Sequence, residues 1–423
     1  MNYKKEDYKN GITFHKINTN KFKTNLFAIF LTTKLDRENV TKNALLTAVL
    51  RRGTKNLSSQ EEISKALENM YGASFDCGVE KTGDNHVMKF YLESINNEFL
   101  PSEENLSKEC LEILLDIVFN PYLEDGKFKQ EYVDGEKENL KQIIQGKIDN
   151  KARYAYDRCV EEMYKNEPYG LYKYGYIEDL DKIDAQNLYE YYLNLIKNVK
   201  IDIFVSGDLD DKIINELREN KIIENLSERN PNFNINKENK LKPQVEEPKT
   251  IKESMQINQG KLIIGLDVLD NRNESKYATS VYNVILGGSA NSKMFQNVRE
   301  KASLAYTAGS NYLRQKDNVF IKCGIDIPNF EKALEIIKEQ LKQMKEGDFT
   351  EEDIENAKTI IDASVGSITE SQDSEITYYF SQELSDEVVS IEEYIKKIND
   401  VTREQIVEIA KKIQINTIYF LKD

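Results

Sequence analysis

The chain holds only two histidines, His15 and His86, and four cysteines, and neither set is spaced to hold a metal. Cys77, Cys110, Cys159 and Cys323 lie far apart and form no CxxC. They read as buried free thiols suited to a reducing compartment. Zinc sites draw imidazole and thiolate ligands from short spacings. His15, in the first strand, and His86, after a turn, read instead as isolated residues with no ligand role. Positive charge is also scarce: 73 Asp and Glu outweigh 58 Lys and Arg, for a net charge of −15. Nucleic acid and anionic lipid both require clustered cations, so neither is expected as a partner. Lys237, Lys240 and Lys242 sit among glutamates and read as solvated linker. No apolar run is long enough to span a bilayer, and the first twenty residues lack the apolar core of a secretory signal. A soluble cytoplasmic protein is expected.

What is present suffices for folded cores. Apolar residues make up 39% of 423 positions, a length that calls for two or more domains. Residues 10–34 read as paired strands ending in LFAIFLTT, and helical patterns follow at 42–52 and from Ser58 and Ser59 to about residue 71. Strands are expected near 73–80 and 86–94, then helices near 104–119, 126–165 and 183–197, and a closing strand at 202–208. Residues 225–255 are polar and carry Pro231, Pro243 and Pro248, the composition of a linker. Beyond it the order of elements recurs: strands, helices, hairpin strands at 304–313 and 317–325, and long helices including 351–386. A last strand lies at 417–421. This recurrence suggests an α+β protein of two similar α/β domains, at 1–225 and 256–423, joined by a linker at 226–255.

Four segments in order carry a resemblance. They are ALLTAVLRRGTKN (44–56), the stretch from EPYG through KYGYIEDLDKI to IDIFVSGDL (167–208), QINQGKLIIGLDV (256–268), and LGGSANSKMFQNVREKASLAYTAGSNY (286–312). Together they resemble the insulinase/pitrilysin-like M16 zinc peptidases. That resemblance implies duplicated domains and paired subunits that close around a peptide chamber. The family's inverted zinc motif HxxEH falls on Ala44, Leu45, Leu46, Thr47 and Ala48. Alanine offers no ligand atom, and threonine cannot act as the carboxylate base that activates a zinc-bound water. The family's third ligand, a glutamate on a later helix, aligns with Ile143, with Glu136 and Glu138 close enough to leave the register open. No metal or other cofactor is expected in this chain.

The second domain differs. The resemblance maps the family's arginine–tyrosine pair onto Arg299 and Tyr306, seven positions apart. In the family these side chains hold the substrate backbone or the tetrahedral intermediate. A forked guanidinium and a neutral phenol are suitable donors for that task. The structural alternative makes Arg299 a helix C-cap and Tyr306 a core residue. Ser303 stands where the family has glycine. Gly287 to Ser292 contain no phosphate-loop motif and read as a helix break with Ser289 or Asn291 as cap. The acid-rich segment 350–387 reads as a solvated face.

The resemblance therefore implies a non-catalytic subunit of a heterodimeric M16-type metallopeptidase. Its partner would be an HxxEH-bearing paralogue that supplies the zinc, and its substrate a peptide. The alternative is a non-proteolytic peptide-binding or scaffold protein, a homodimer that inherited a peptidase fold.

Overall fold

The computed structural model describes residues 2–101, 104–233, 235, 241–385 and 387–423; Lys237 and Lys240 lie outside them. In chain order the first elements are β1 (Tyr3–Asp7), β2 (Ile12–Asn18), β3 (Thr24–Lys34), α1 (Val40–Leu50), α2 (Gln60–Asn69), β4 (Ser74–Thr82) and β5 (Asn85–Ile95). There follow α3 (Leu106–Phe119), a short hairpin of β6 (Leu123–Glu124) and β7 (Lys127–Phe128), α4 (Gln130–Gln145) and α5 (Lys151–Met163). Next come α6 (Ile177–Leu180), α7 (Ala185–Asn198), β8 (Lys200–Gly207), α8 (Lys212–Glu219) and α9 (Lys221–Ser227). The remainder is β9 (Lys249–Ser254), β10 (Gly260–Val268), α10 (Ser275–Gly287), a π-helix at Phe295–Lys301, β11 (Ala305–Leu313), β12 (Asn318–Ile325) and α11 (Phe330–Glu346). It closes with α12 (Glu351–Gly366), α13 (Gln372–Glu383), α14 (Ile391–Asn399), α15 (Arg403–Lys411) and β13 (Ile413–Lys422).

The chain forms two compact units, each assembled from separated segments. One comprises 1–146, 171–236 and 370–384, and the other 147–170, 237–369 and 385–423. The first unit carries a six-stranded sheet in the order β1-β2-β8-β3-β5-β4, with β2 and β8 parallel and the other pairs antiparallel. The second carries β11-β12-β10-β13-β9, with only β13 and β9 parallel. Both sheets thus share one plan. A hairpin occupies one edge, an early strand and the closing strand run beside it, and a parallel strand lies beyond. The α+β architecture expected from the recurring order of elements is the one observed.

The sequence pattern of the central strands follows from burial on both faces. In β3, Phe27, Ile29 and Leu31 enter the larger core of the first unit, while Leu26, Ala28 and Phe30 pack on the other face with Ile376, Tyr379 and Phe380 of α13. In β10, Leu262, Ile264 and Leu266 face one core and Ile263 the other, where Ala155, Cys159 and Val160 of α5 pack. Each unit therefore covers the second face of its sheet with a helix that lies far from that sheet in sequence. Neither helix was legible as such, because a continuous apolar strand shows that a second face is covered but not by what.

Several expectations are corrected. The single helix at 126–165 is a hairpin and two helices: α4 ends at its C-cap Gly146, and Asn150 begins α5 by accepting the Arg153 N–H at 3.0 Å. The helix at 351–386 also divides, with Ser371 capping α13. The acid-rich segment is not simply a solvated face. Glu375 accepts from Asn2 Nδ2 at 2.7 Å, and Glu383 accepts from Lys5 Nζ at 2.6 Å and Tyr3 Oη at 3.1 Å, both carboxylates being buried. Lys242 is no solvated linker residue: its ammonium is enclosed, 3.0 Å from Asp267 Oδ1 and 3.0 Å from the Asp317 carbonyl. A buried lysine needs such a counter-charge, because desolvation otherwise drives off its proton.

Candidate functional site

Helix α1 carries the positions that the resemblance gives to the zinc motif and is buried almost all round. Ala44, Leu45, Leu46 and Thr47 are buried, and Ala48 is half-buried. The Thr47 hydroxyl donates to the Asn43 carbonyl at 2.8 Å, the usual recourse of a hydroxyl inside a helix. Cys77 Sγ lies 3.6 Å from the Thr47 carbonyl, and burial pushes its thiol up to about 12, so it stays protonated at neutral pH. Helix α4 packs against α1. On α4, Glu136 and Ile143 are seven positions apart and share a face, whereas Glu138 is exposed. Glu136 is committed elsewhere: it is buried and accepts from Arg52 Nη1 at 3.2 Å and Asn139 Nδ2 at 3.1 Å. Ile143 is half-exposed and carries no donor atom. Among the described residues no group of three or more His, Cys, Asp or Glu could hold a metal ion.

Both histidines are structural, though neither is a loose surface residue. His86 Nε2 lies 3.0 Å from the Lys173 carbonyl and Nδ1 lies 3.1 Å from Asn43 Nδ2. A neutral ring satisfies both contacts, donating through Nε2 and accepting at Nδ1. Burial draws its pKa down to about 4. Asn43 also donates to Thr33 Oγ1 at 3.2 Å and accepts from Tyr191 Oη at 2.6 Å. The residue just before the old ligand positions thus ties α1 to β3, β5 and α7. His15 is wholly buried, with Nε2 3.0 Å from Asp202 Oδ1 and Nδ1 2.8 Å from Tyr3 Oη.

Arg299 and Tyr306 lie in the second unit, where the backbone departs three times from regular structure within eight residues. Residues Phe295–Lys301 form a π-helix. Ser303, two residues on, has φ 51°, a left-handed conformation that glycine adopts at no steric cost. The register of β11 against β12 then shifts between Ala305 and Thr307, so that Tyr306 is the extra residue of a bulge. π-bulges and β-bulges re-aim side chains and recur at functional sites.

The result is a phenol 76% exposed, with no hydrogen-bond partner among the described residues. Tyr306 is not core filling. The Arg299 guanidinium lies over the Phe295 ring, 4.4 Å from its centroid, with Nε 3.6 Å from Glu300 Oε1. It bonds no helix-end carbonyl among the described residues, so it does not act as a C-cap. The cap of the preceding segment is also corrected: Ser292, rather than Ser289 or Asn291, accepts the Phe295 N–H through its hydroxyl, at 3.5 Å. The family resemblance pointed to the pair, but neither the π-helix nor the bulge left a sequence signal apart from the serine at the glycine position.

The duplicated α+β plan, and the lack of a zinc-ligand set at the positions that the resemblance gives to the metal, are what that resemblance implies for an M16-like chain. Comparison with known proteins agrees. Residues 182–361 match the family model described as the Peptidase M16 inactive domain. Over 413 residues, 97% of this chain and 96% of the other, the sequence is 36% identical to "Probable inactive metalloprotease YmfF" of Bacillus subtilis (strain 168). From the same organism, "Uncharacterized zinc protease YmxG" is 24% identical over 312 residues, 72% of each chain. A crystal structure of a conserved protein from Enterococcus faecalis V583 superposes with a TM-score of 0.89 at 27% identity, covering 100% of this chain and 99% of that one. The chain belongs to the M16 peptidase family, among its inactive members.

Proposed function

We propose that the chain is the non-catalytic subunit of a two-component M16-type metallopeptidase. The observation that carries this reading is a contrast between the two units. The positions that the resemblance gives to the zinc ligands of the first carry alanines, a threonine and an isoleucine, whereas the second holds Tyr306 out in solvent and Arg299 half-exposed, both on irregular backbone. A residue kept only as scaffold would gain by burying a phenol, at roughly 25 cal/mol for each Å² of apolar surface. Exposure of Tyr306 forgoes that gain, as expected of a side chain that meets a ligand.

The partner is an HxxEH-bearing paralogue, and its zinc supplies the activated water. This chain closes the chamber and offers two donors to the peptide. The guanidinium of Arg299 and the hydroxyl of Tyr306 donate to the scissile carbonyl oxygen as negative charge develops on it, which is where preorganised donors contribute most. That the organism of the inactive relative also has a relative named as a zinc protease supports a paired arrangement. Four unpaired cysteines, three of them buried, suit a cytoplasmic site of action. Among the described residues no helix is long and apolar enough to cross a membrane.

The test is peptide turnover by the zinc-bearing paralogue, alone and with this chain in equal amount. The reading expects a large gain on mixing and none from this chain alone. No gain, with no complex on a sizing column, would refute it.

A further inference from the structure

The first unit contains a cleft of about 650 Å³ that belongs neither to the old metal positions nor to the Arg299–Tyr306 pair. One wall is a stripe of α7. Tyr189, Leu193 and Ile196 recur at helical spacing and face the cleft, and Leu193 is 43% exposed there. Opposite stand Phe119 and Tyr122, at the end of α3 and in the loop entering the β6–β7 hairpin. This volume falls in the range of small-molecule sites, roughly 300–1,000 Å³. Three elements enclose it, so it is a concavity and not a flat patch of the kind that protein partners cover.

Its charge is the opposite of the chain's. Lys55, Lys197 and Arg229 line the cleft, and among the described residues no aspartate or glutamate does, in a protein of net charge −15. The ammonium groups of Lys55 and Lys197 make no ion pair among the described residues. Arg229 is more constrained. Its Nε donates to the Asn10 carbonyl at 3.1 Å and its Nη1 to the Ile196 carbonyl at 2.6 Å, near the C-terminal end of α7. Nη2 is enclosed and has no acceptor among the described residues. Held by two carbonyls and paired with no carboxylate among the described residues, this guanidinium adds positive charge to the cleft wall without itself reaching a ligand. Burial lowers its pKa to about 10.

We infer that this cleft is a binding site for a small amphipathic anion, a carboxylate carried on an aliphatic tail. The tail lies along Leu193, Ile196 and Phe119, and the carboxylate meets the exposed Lys55 and Lys197 ammonium groups. Charge-assisted hydrogen bonds to such a head are about twice as strong as neutral ones, and the apolar wall contributes in proportion to the tail it covers.

The experiment is calorimetric titration of the full chain with dodecanoate below its micelle concentration, beside dodecanol and dodecyltrimethylammonium. The inference expects one site per chain, with dodecanoate at least about tenfold tighter than dodecanol and the cation not bound. The double variant Lys55→Glu/Lys197→Glu should weaken dodecanoate by about tenfold or more, and Leu193→Asp should abolish its binding. These positions are exposed, so both variants should melt like the parent, which separates loss of the site from loss of the fold. Equal affinity for dodecanol and dodecanoate would overturn the inference, as would no binding, or binding indifferent to both variants.

Discussion

The Arg299 guanidinium lies over the Phe295 ring four residues before it, 4.4 Å from the ring centroid. A half-exposed arginine otherwise samples many rotamers, and fixing one costs up to about 2 kcal/mol of side-chain entropy. The aromatic platform restricts that freedom before any peptide arrives, and the π-helical winding of Phe295–Lys301 sets the backbone beneath it. On the proposed function, Phe295 is thus a positioning residue for Arg299. In a complex with the zinc-bearing paralogue, Phe295→Ala should raise KM several-fold with a smaller effect on kcat, and Phe295→Tyr should restore the parent value. Equal behaviour of the two variants would show that the stacking has no part in peptide binding.

Ser303 occupies a left-handed conformation, φ 51°, between the π-helix and the bulge that exposes Tyr306. For a residue with a Cβ this costs about 1–2 kcal/mol, while glycine loses about 0.5–1 kcal/mol to chain entropy. The account predicts a net gain of about 0.5 kcal/mol for Ser303→Gly and a loss of at least about 1 kcal/mol for Ser303→Val. Denaturant midpoints measured on the two variants and the parent decide the matter.

His86 gives stability a pH dependence whose sign is fixed by its neutral state. Its folded pKa is about 4, below the unfolded value of about 6.5. Between those values the unfolded chain binds the extra proton, so this contribution is complete above about pH 6.5 and is lost as pH falls toward 4. The loss between pH 7.5 and 5 should be about 2 kcal/mol. His86→Gln, which keeps a donor and an acceptor, should be flatter with pH than the parent over this interval. Parallel curves for the two proteins would contradict the assignment.

How much of this was legible in the sequence depended on the range of the interactions. The duplicated order of strands and helices could be read because apolar periodicity is local. The positions that the resemblance gives to the zinc ligands, Ala44, Thr47 and Ala48 with Ile143 as the likeliest third, could be named because that mapping needs only the sequence. The helix that covers each sheet's second face could not, since α5 and α13 reach their strands over long sequence separations. Lys242 looked like linker for the same reason: its counter-charge, Asp267, lies on β10. The π-helix and the bulge were also hidden, because backbone irregularity of this kind has no compositional signal beyond the serine at position 303.

The central claim is that Arg299 and Tyr306 act on a peptide held by a zinc-bearing partner, and one measurement addresses it most directly. Peptide turnover by the mixed complex is compared between the parent chain and Arg299→Ala/Tyr306→Phe, with complex formation followed on a sizing column. Tyr306 is largely solvent-exposed and Arg299 half-exposed, and replacing them should change stability by no more than about 0.5 kcal/mol, so the variant should still form the complex. The account predicts that turnover falls by about 10²-fold or more while the complex persists. Unchanged turnover in an intact complex would contradict it and leave the pair as inherited scaffold.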